Sequence, residues 1–488
     1  MLKFAELCVN LHPKLDKTMS MKQIRTLCTL LAAILMMASC AGSSNETTLY
    51  SDAVITAFSL GNLNKYTTTE NDDGTTKLTK TTYKGSGYKF IIDQINREIY
   101  NNDSLPVGTD AEHILCYIST VNNGVALFKD LEEENTYYYY SSSDSIDFST
   151  PRTVRVMSSD SQGYTDYTIK VNIHKEDGDQ FVWNKLESST ELKSMKGLKA
   201  LYHYSTNTIY LFGDLEDKTQ VFRIKDDNTL EPIATSMDFS SNAWKNVVTM
   251  FGFFFLYDQD VLYVSDDGTI WTPTNHQAEQ PIKQLIGAST FELYALSTEN
   301  KIMVSKDGGE TWKVDNNDNP TMLPSEDFAI INYPVYMAER CEQVIMVGNR
   351  PAEANDKYAA VWRKIVDFDD FKEGGSWSYM DRGSLTEFKL PQLTNYNLLY
   401  YEDELLAFGK EPASTSEGKS YMNIYQSRDN GITWKVKKEV YAFPEDMVNT
   451  EAVTISSVVD IDNNIWLFCI GTGEIWKGRL NSAGWIYK

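Results

Sequence analysis

The sequence has few of the residues that build metal centres and disulfide frameworks. Its 488 residues include five widely separated histidines and six cysteines, with no CxxC spacing. Metal sites use clustered histidines or paired cysteines, and disulfide-stabilised domains need closely spaced cysteines. The GxSxG, HExxH, GxGxxG and P-loop motifs are also missing, so we predict no catalytic residue, no metal and no cofactor.

Basic residues are also scarce relative to acidic ones. The chain has 45 Lys+Arg against 68 Asp+Glu, a formal net charge of −23. A protein this acidic repels the phosphate backbone, so we predict no nucleic-acid partner.

The apolar run within residues 28–40 (CTLLAAILMMASC) falls short of the roughly 20 residues that a transmembrane helix needs. It follows the basic segment Met21–Arg25, an arrangement typical of a secretory signal peptide. Met37–Cys40 resembles the lipobox of bacterial lipoproteins. The resemblance implies a signal peptide with an upstream extension over 1–39, a tether over 40–47 lipidated at Cys40, and a membrane-anchored protein of the cell envelope, at the outer membrane. The alternative is an ordinary cleaved signal with an incidental cysteine.

Tryptophan is absent before Trp183, although ten follow from there on. The shift indicates a boundary near 176–181, between domains over 48–175 and 181–488. In the first domain, short β-branched and aromatic stretches alternate with turn residues, which is typical of a β-sandwich. Residues 147–171 resemble the closing strands of bacterial Ig-like modules. The run Tyr137–Tyr140 is either an aromatic platform for sugar or protein or an ordinary strand, and the ordinary strand is favoured.

Three turns of the second domain share the pattern Ser-x-Asp-x-Gly-x-Thr-Trp. It is complete in 305–312 (SKDGGETW) and 427–434 (SRDNGITW) and one residue short in 265–271 (SDDGTIW). These sequences resemble the Asp boxes of sialidase-like, BNR-repeat β-propellers. Since the box is a structural hairpin in that family, the resemblance implies structural roles for Ser265, Asp267, Gly268, Trp271, Ser305, Asp307, Gly309, Trp312, Ser427, Asp429, Gly431 and Trp434.

Six units of four strands fit the second domain, and Phe181–Trp183 supplies an extra strand that closes the ring. We therefore predict an all-β protein, with an N-terminal Ig-like β-sandwich followed by a six-bladed Asp-box β-propeller; seven blades are the alternative. The lipobox, the Ig-like module and the propeller together resemble two-domain lipoproteins of Bacteroidetes type.

The predicted axial strands of the propeller (198–204, 246–251, 282–288, 328–334, 394–400 and 454–460) contain no arginine. A sialidase needs an arginine cluster to bind the substrate carboxylate. Aromatic and amide side chains on these strands suit a neutral sugar or a peptide backbone, and the candidate channel-lining residues are Tyr202, Tyr204, Gln284, Asn332, Asn395 and Asn397. We predict a non-catalytic protein that binds a glycan or a protein; the alternative is a divergent sialidase-like glycoside hydrolase.

Overall fold

The computed structural model describes residues 50–70, 75–335, 340–368, 375–380, 387–412 and 418–485. The predicted signal peptide (1–39), the lipidation site Cys40 and the tether (40–47) lie outside these residues. The described chain is built from strands, with one short α-helix, Thr190–Ser194, and several 3₁₀ turns. The prediction of an all-β protein is confirmed. None of the helices described is long and apolar enough to cross a membrane.

Two compact units divide the chain after Asn172, except that Leu105–Val107 belongs to the second unit. The described residues of the first unit form ten strands. They are β1 (Ile55–Leu60), β2 (Asn62–Glu70), β3 (Thr76–Lys84), β4 (Phe90–Asp93), β5 (Glu98–Asn101), β6 (Cys116–Thr120), β7 (Val125–Lys129), β8 (Tyr137–Tyr139), β9 (Arg152–Met157) and β10 (Tyr164–Lys170).

A six-stranded sheet in the order β4-β5-β10-β9-β7-β8 forms the centre of this unit, beside the pairs β1-β6 and β2-β3. The pairing of β5 with β10 is parallel. In β9, Val154 and Val156 are buried and Thr153 and Arg155 are partly exposed, the alternation expected for a strand with one face in the core.

The tyrosine run Tyr137–Tyr140 lies largely in strand β8 and pairs with β7. The hydroxyl of Tyr140 donates to the carbonyl oxygen of Cys116 at 2.5 Å, and Arg152 Nη2 donates to the hydroxyl of Tyr138 at 2.9 Å. Tyr139 is 78% exposed. These contacts agree with the interpretation of the run as an ordinary strand.

The second unit has 26 strands among the residues described. The first eleven are β11 (Phe181–Lys185), β12 (Gly197–His203), β13 (Thr208–Leu215), β14 (Lys218–Ile224), β15 (Leu230–Ile233), β16 (Phe239–Ser240), β17 (Val247–Met250), β18 (Phe253–Asp258), β19 (Val261–Ser265), β20 (Thr272–Thr274) and β21 (Gln277–Ala278). The next eight are β22 (Ile282–Ala288), β23 (Leu293–Ser297), β24 (Ile302–Ser305), β25 (Thr311–Val314), β26 (Glu326–Pro334), β27 (Cys341–Asn349), β28 (Ala360–Asp367) and β29 (Ser378–Tyr379). The last seven are β30 (Thr394–Tyr401), β31 (Glu404–Lys410), β32 (Tyr425–Ser427), β33 (Lys435–Val436), β34 (Thr454–Val459), β35 (Ile465–Ile470) and β36 (Ile475–Leu480).

These strands form six sheets within the described residues, which we number along the chain. Sheets 1 to 5 have β12, β17, β22, β26 and β30 as one edge strand, and sheet 6 has the order β11-β36-β35-β34. Strand β11 is therefore far in sequence from the other strands of its sheet, and it pairs antiparallel with β36. This pairing joins the start of the unit to its end, the role predicted for Phe181–Trp183.

One edge strand of each sheet lies beside an edge strand of the next, in the order β12, β17, β22, β26, β30 and β34, and β34 lies beside β12, so these strands form a closed ring. We call β12, β17, β22, β26, β30 and β34 the inner strands. A buried apolar cluster joins each sheet to its successor, and the cluster with Leu198 and Phe468 joins sheet 6 to sheet 1. The second strands β13 and β35 have apolar residues on both faces, since each is covered by a cluster on both sides.

Candidate functional site

The three predicted box turns have a common hydrogen-bond pattern. In the turn over 305–312, Ser305 Oγ accepts from the amide of Gly309 at 2.9 Å and Asp307 Oδ1 accepts from the amide of Thr311 at 2.9 Å. The indole of Trp312 donates to the carbonyl oxygen of Gly309 at 3.0 Å, and its side chain is 1% exposed. The bonds from Thr311 and Ser305 lower the pKa of Asp307, although burial by itself would raise it.

The other two turns repeat this arrangement. The turn over 427–434 has the same three bonds, from Gly431, Thr433 and Trp434. In the shorter turn over 265–271, Ser265 accepts from Gly268 and Asp267 from Thr269, while Trp271 donates to Gly268. Gly309 has φ +91° and its Cα lies so close to the preceding sheet that a Cβ would stand 2.3 Å from Leu262 Cδ2. The serine and aspartate side chains therefore bond to the backbone of their own turn, and such bonds stabilise a hairpin.

Two of the predicted channel residues come from the end of β12. Tyr202 is 7% exposed, packs in the cluster between sheets 6 and 1, and donates its hydroxyl to Asn207. Tyr204 follows the strand and is 77% exposed, with its ring edge against Tyr202 at 4.9 Å. Between them, His203 is buried and bonded to Thr206 and to the carbonyl oxygen of Gly252, and burial lowers its pKa.

The amide candidates lie on the opposite part of the ring and are mostly engaged with protein groups. Asn397 donates to the carbonyl oxygen of Ile455 at 3.1 Å and accepts from the hydroxyl of Ser457 at 2.8 Å, which ties sheet 5 to sheet 6. Asn395 accepts from the hydroxyl of Tyr421 at 2.5 Å, and Asn332 donates to Glu342 at 2.8 Å. Gln284 is partly buried on β22. Direct contacts join only the two tyrosines and the pair Asn395–Asn397 within the described residues.

Acidic residues are sparse on the inner strands, where a glycosidase would need a facing pair. Glu326 and Asp327 are the two that these strands contain, and they are consecutive at the start of β26, where a register shift interrupts the pairing with β27 and Asp327 has φ +36°. Asp327 Oδ1 accepts from the amide of Asn395 at 3.2 Å. Arginine is also missing from the inner strands as the structure defines them.

A separate pair of carboxylates is buried between sheets 3 and 4. Lys364 Nζ donates to Glu292 at 2.6 Å and to Asp315 at 2.7 Å, and the Lys364 side chain is fully buried. Tyr294 donates to Glu292 at 2.6 Å and the indole of Trp377 donates to Asp315 at 3.0 Å. Burial opposes ionisation of both carboxyl groups. At Glu292 it is outweighed by Lys364 together with Tyr294 and Lys306, so the pKa of Glu292 is lowered. At Asp315 burial outweighs Lys364, so the pKa of Asp315 is raised. The cluster is closed to substrate and joins the two sheets.

The sequence analysis missed the lysines of the inner strands, Lys199 and Lys283, of which Lys283 is exposed. Lys199 lies in the middle of β12, is only partly exposed, and burial lowers its pKa to about 8. The sequence signal for Lys199 was a lysine within the otherwise apolar stretch Gly-Leu-Lys-Ala-Leu. The sequence analysis considered only arginine as a cation on the axial strands. Over the part of the chain that the structure covers, no three histidine, cysteine, aspartate or glutamate side chains are grouped as metal ligands.

Residues 177–488 match the family described as the DUF6242 β-propeller domain, and residues 58–171 match the domain of unknown function (DUF6242) N-terminal domain. The chain belongs to the DUF6242 family. The prediction of a β-propeller is confirmed for its C-terminal domain. A comparison with curated proteins finds no match.

Solved structures of other proteins are similar to this chain at low identity. YCF48 from Cyanidioschyzon merolae is 15% identical, with 61% of this chain and 98% of that chain covered and a TM-score of 0.33. An endo-arabinase from Bacteroides thetaiotaomicron VPI-5482 is 14% identical, with 58% and 92% covered and a TM-score of 0.29. The gluconolactonase XC5397 from Xanthomonas campestris is 8% identical, with 59% and 88% covered and a TM-score of 0.36.

Proposed function

We propose that this DUF6242 protein is a lipid-anchored binding protein of the cell envelope, which presents a six-bladed propeller to a glycan or protein ligand and does not turn the ligand over. The observation that carries the proposal is the composition of the inner strands. They offer amides, hydroxyls and two lysines, Lys199 and Lys283, whereas their two carboxylates are consecutive on one strand. Such a wall can hold a ligand through hydrogen bonds but lacks the facing acid and base that glycoside hydrolysis uses.

The count of six blades is supported by the closed ring of inner strands and by the pairing of β11 with β36. The Asp-box assignment is supported by the shared bonds of the three turns, whose serine and aspartate serve the local backbone. An Ig-like sandwich in the first unit is supported by the alternating burial along β9.

Anchoring rests on the sequence Met37–Cys40, since these residues lie outside the described part of the chain. Several acyl chains on Cys40 would hold an acidic body at a membrane that it does not otherwise bind. Cys40→Ala should move the protein from the membrane fraction to the soluble fraction. If the variant stays with membranes after a high-salt wash, the anchor is elsewhere.

Binding and turnover are separated by one experiment on the chain from Ala41 onward. The purified protein is applied to a glycan array and an envelope-protein pull-down, and is incubated with fluorogenic sialosides and neutral aryl glycosides. We expect saturable binding without product release. Turnover that disappears when Glu326 or Asp327 is replaced by its amide would instead establish the divergent glycoside hydrolase.

A further inference from the structure

Phe251 is an exposed phenylalanine in a backbone conformation that bulky residues rarely adopt. Phe251 and Gly252 form the two-residue turn between β17 and β18, with φ of +54° and +74°. Such hairpin turns favour Asn-Gly or Asp-Gly, because a bulky side chain at positive φ is strained. The equivalent turn of sheet 5 has the polar residues Glu402 and Asp403. Since the Phe251 side chain is 57% exposed, burial in the core does not explain why a phenylalanine occupies this position.

Other aromatic rings continue from Phe251 across the same end of the sheets. The ring centroid of Phe251 lies 4.8 Å from that of Phe291, in the turn between β22 and β23, and Phe291 lies 4.8 Å from Phe368, which follows β28. On the other side, His203 Nε2 donates at 2.8 Å to the carbonyl oxygen of the residue after Phe251, and Tyr204 comes next in the chain. We call Tyr204, Phe251, Phe291 and Phe368 the aromatic patch.

This end of the propeller holds the most exposed large apolar side chains among the described residues of the second unit. They are Tyr204 (77%), Ile270 (67%), Ile461 (60%) and Phe251 (57%). Ile270 lies in the turn after β19, at the same end of sheet 2 as Phe251, because consecutive strands of the sheet are antiparallel. Ile461 follows β34, whose end packs beside the end of β12. Exposed apolar groups collected on one surface are typical of an interaction site.

The turns at this end of the propeller are acidic. They join each inner strand to the second strand of its sheet, and the third strand to the fourth. Their acidic residues that are exposed or partly exposed are Asp226, Asp227, Asp266, Asp267, Asp307, Glu310, Glu402, Asp403, Asp429, Asp460 and Asp462, and the basic residues described there are Lys225, Lys306, Arg340 and Arg428. Charge complementarity therefore favours a ligand with lysine or arginine around its apolar groups. An anionic membrane surface would be repelled.

Hydrogen-bonding groups beside the aromatic patch are already bonded within the protein. Glu342 accepts from the amide and the hydroxyl of Thr290 at 2.8 Å each, which fixes the turn that contains Phe291. His203 fixes the turn that contains Tyr204 through its bonds to Thr206 and to the neighbouring turn. The three phenylalanines of the patch have no side-chain group that can form a conventional hydrogen bond. A sugar is recognised through several such bonds, so this surface suits the apolar side chains of a protein better.

We propose that the aromatic patch binds a basic segment of a partner protein, whose apolar side chains pack on Tyr204 and Phe251 and whose lysines and arginines pair with the acidic turns. The inference rests on the proposed function and narrows its ligand from a glycan or a protein to a protein. Because the turns are already fixed, little conformational freedom is lost when the segment binds.

The first test screens the chain from Ala41 onward against displayed short peptides in matched sets. One set combines apolar residues with lysine and arginine, a second combines them with aspartate and glutamate, and a third keeps the basic residues but has serine in place of the apolar ones. We expect only the first set to be enriched. Dissociation constants of its peptides should rise with salt concentration, since salt screens the charge pairs.

The second test separates binding from folding with variants of the patch. Phe251→Asn should weaken binding of the selected peptides roughly 10- to 100-fold, yet raise the melting temperature, because Asn-Gly suits the turn. Tyr204→Ala should weaken binding about tenfold. The control is Tyr139→Ala, which removes a tyrosine of the first unit that is 78% exposed and should leave binding unchanged.

The outcomes separate this inference from the proposed function. Enrichment of the acidic or serine-containing set, the absence of any enriched peptide, or binding indifferent to Phe251→Asn and Tyr204→Ala overturns the protein site. Binding that depends on Phe251 but is directed to vesicles of phosphatidylethanolamine and phosphatidylglycerol, or to neutral oligosaccharides, also overturns it. In these cases a ligand found on the glycan array or in the envelope-protein pull-down leaves the proposed function standing. Turnover of a ligand, or the absence of every glycan and protein ligand, overturns the proposed function itself.

Discussion

Two lysines of the propeller, Lys364 and Lys199, have opposite surroundings. Lys364, between sheets 3 and 4, is fully buried, donates to Glu292 and Asp315 and completes a cluster that also satisfies Tyr294 and Trp377. Lys199, on β12, is only partly exposed and has no hydrogen bond or ion pair with a described residue. A paired buried charge belongs to the packing of the fold, whereas a partly desolvated charge without a protein partner costs stability. The comparison separates a lysine that holds two sheets together from one that destabilises the fold.

The largest effect should come from breaking the paired site. Lys364→Met leaves Asp315 buried without the Lys364 cation, while Glu292 keeps its ion pair with Lys306 at 3.2 Å, and should lower the free energy of unfolding by about 3–5 kcal/mol. Denaturant unfolding of the chain from Ala41 onward measures this loss. The matched triple variant Lys364→Met with Glu292→Gln and Asp315→Asn should recover a large part of it, and a single variant as stable as the wild type would contradict the assigned role.

Removing a buried indole ring from a box turn should cause a slightly smaller loss of stability. This loss is a reference for an effect of packing alone. Trp312→Ala empties a fully buried site in the box turn and should cost about 3–4 kcal/mol. Ligand affinity measured below the melting transition should be unchanged. Loss of binding with unchanged unfolding would place the box turn in the ligand site instead.

Replacing Lys199 should change the free energy of unfolding in the opposite direction from replacing Lys364. Lys199→Met removes an unpaired, partly desolvated cation and should raise the free energy of unfolding by about 2 kcal/mol at pH 7. The folded pKa is lowered from 10.5 to about 8, so the wild-type deficit is complete below pH 8 and vanishes as pH rises toward 10.5. Unfolding curves at pH 7, 8.5 and 10 test the sign of the stability change and the pH range over which it disappears. Destabilisation at pH 7 would mean that Lys199 has a structural partner.

The smallest effect concerns one hydrogen-bonding side chain of the rim. Asp307→Ala removes the bonds to the Thr311 amide and hydroxyl, and should cost about 1 kcal/mol with no change in ligand affinity. Differential scanning calorimetry of this variant beside Asp429→Ala, which loses the equivalent bonds, should give similar shifts. A shift for one variant and none for the other would show that the turns are not equivalent.

Regular, repeated features of this chain could be predicted from the sequence. The second strands of the sheets are continuous apolar runs, such as Leu405–Gly409 within β31, and their spacing with the box motifs indicated a propeller. The hairpin of β2 and β3 was missed because β3 is almost wholly exposed and rich in threonine and lysine, so it has no apolar alternation to detect.

The candidate site was less predictable, since it depends on what each side chain meets in three dimensions. Asn397 and Lys199 are both polar residues on inner strands, yet Asn397 is bonded to β34 and Lys199 has no described partner. A single sequence does not distinguish these cases, because the partners come from strands far away in the chain. Lys199 shows that the absence of arginine from the inner strands is a weaker argument about the ligand than a count of all the cationic side chains on these strands.

The most direct test of the account is the ionisation of Lys199. The ε-carbon resonances of labelled lysines, with Lys199 assigned by its loss in Lys199→Met, give its pKa in the folded protein. We predict a pKa of about 8, because burial disfavours the ammonium. A value near 10.5, the ordinary pKa of a lysine, would contradict the account.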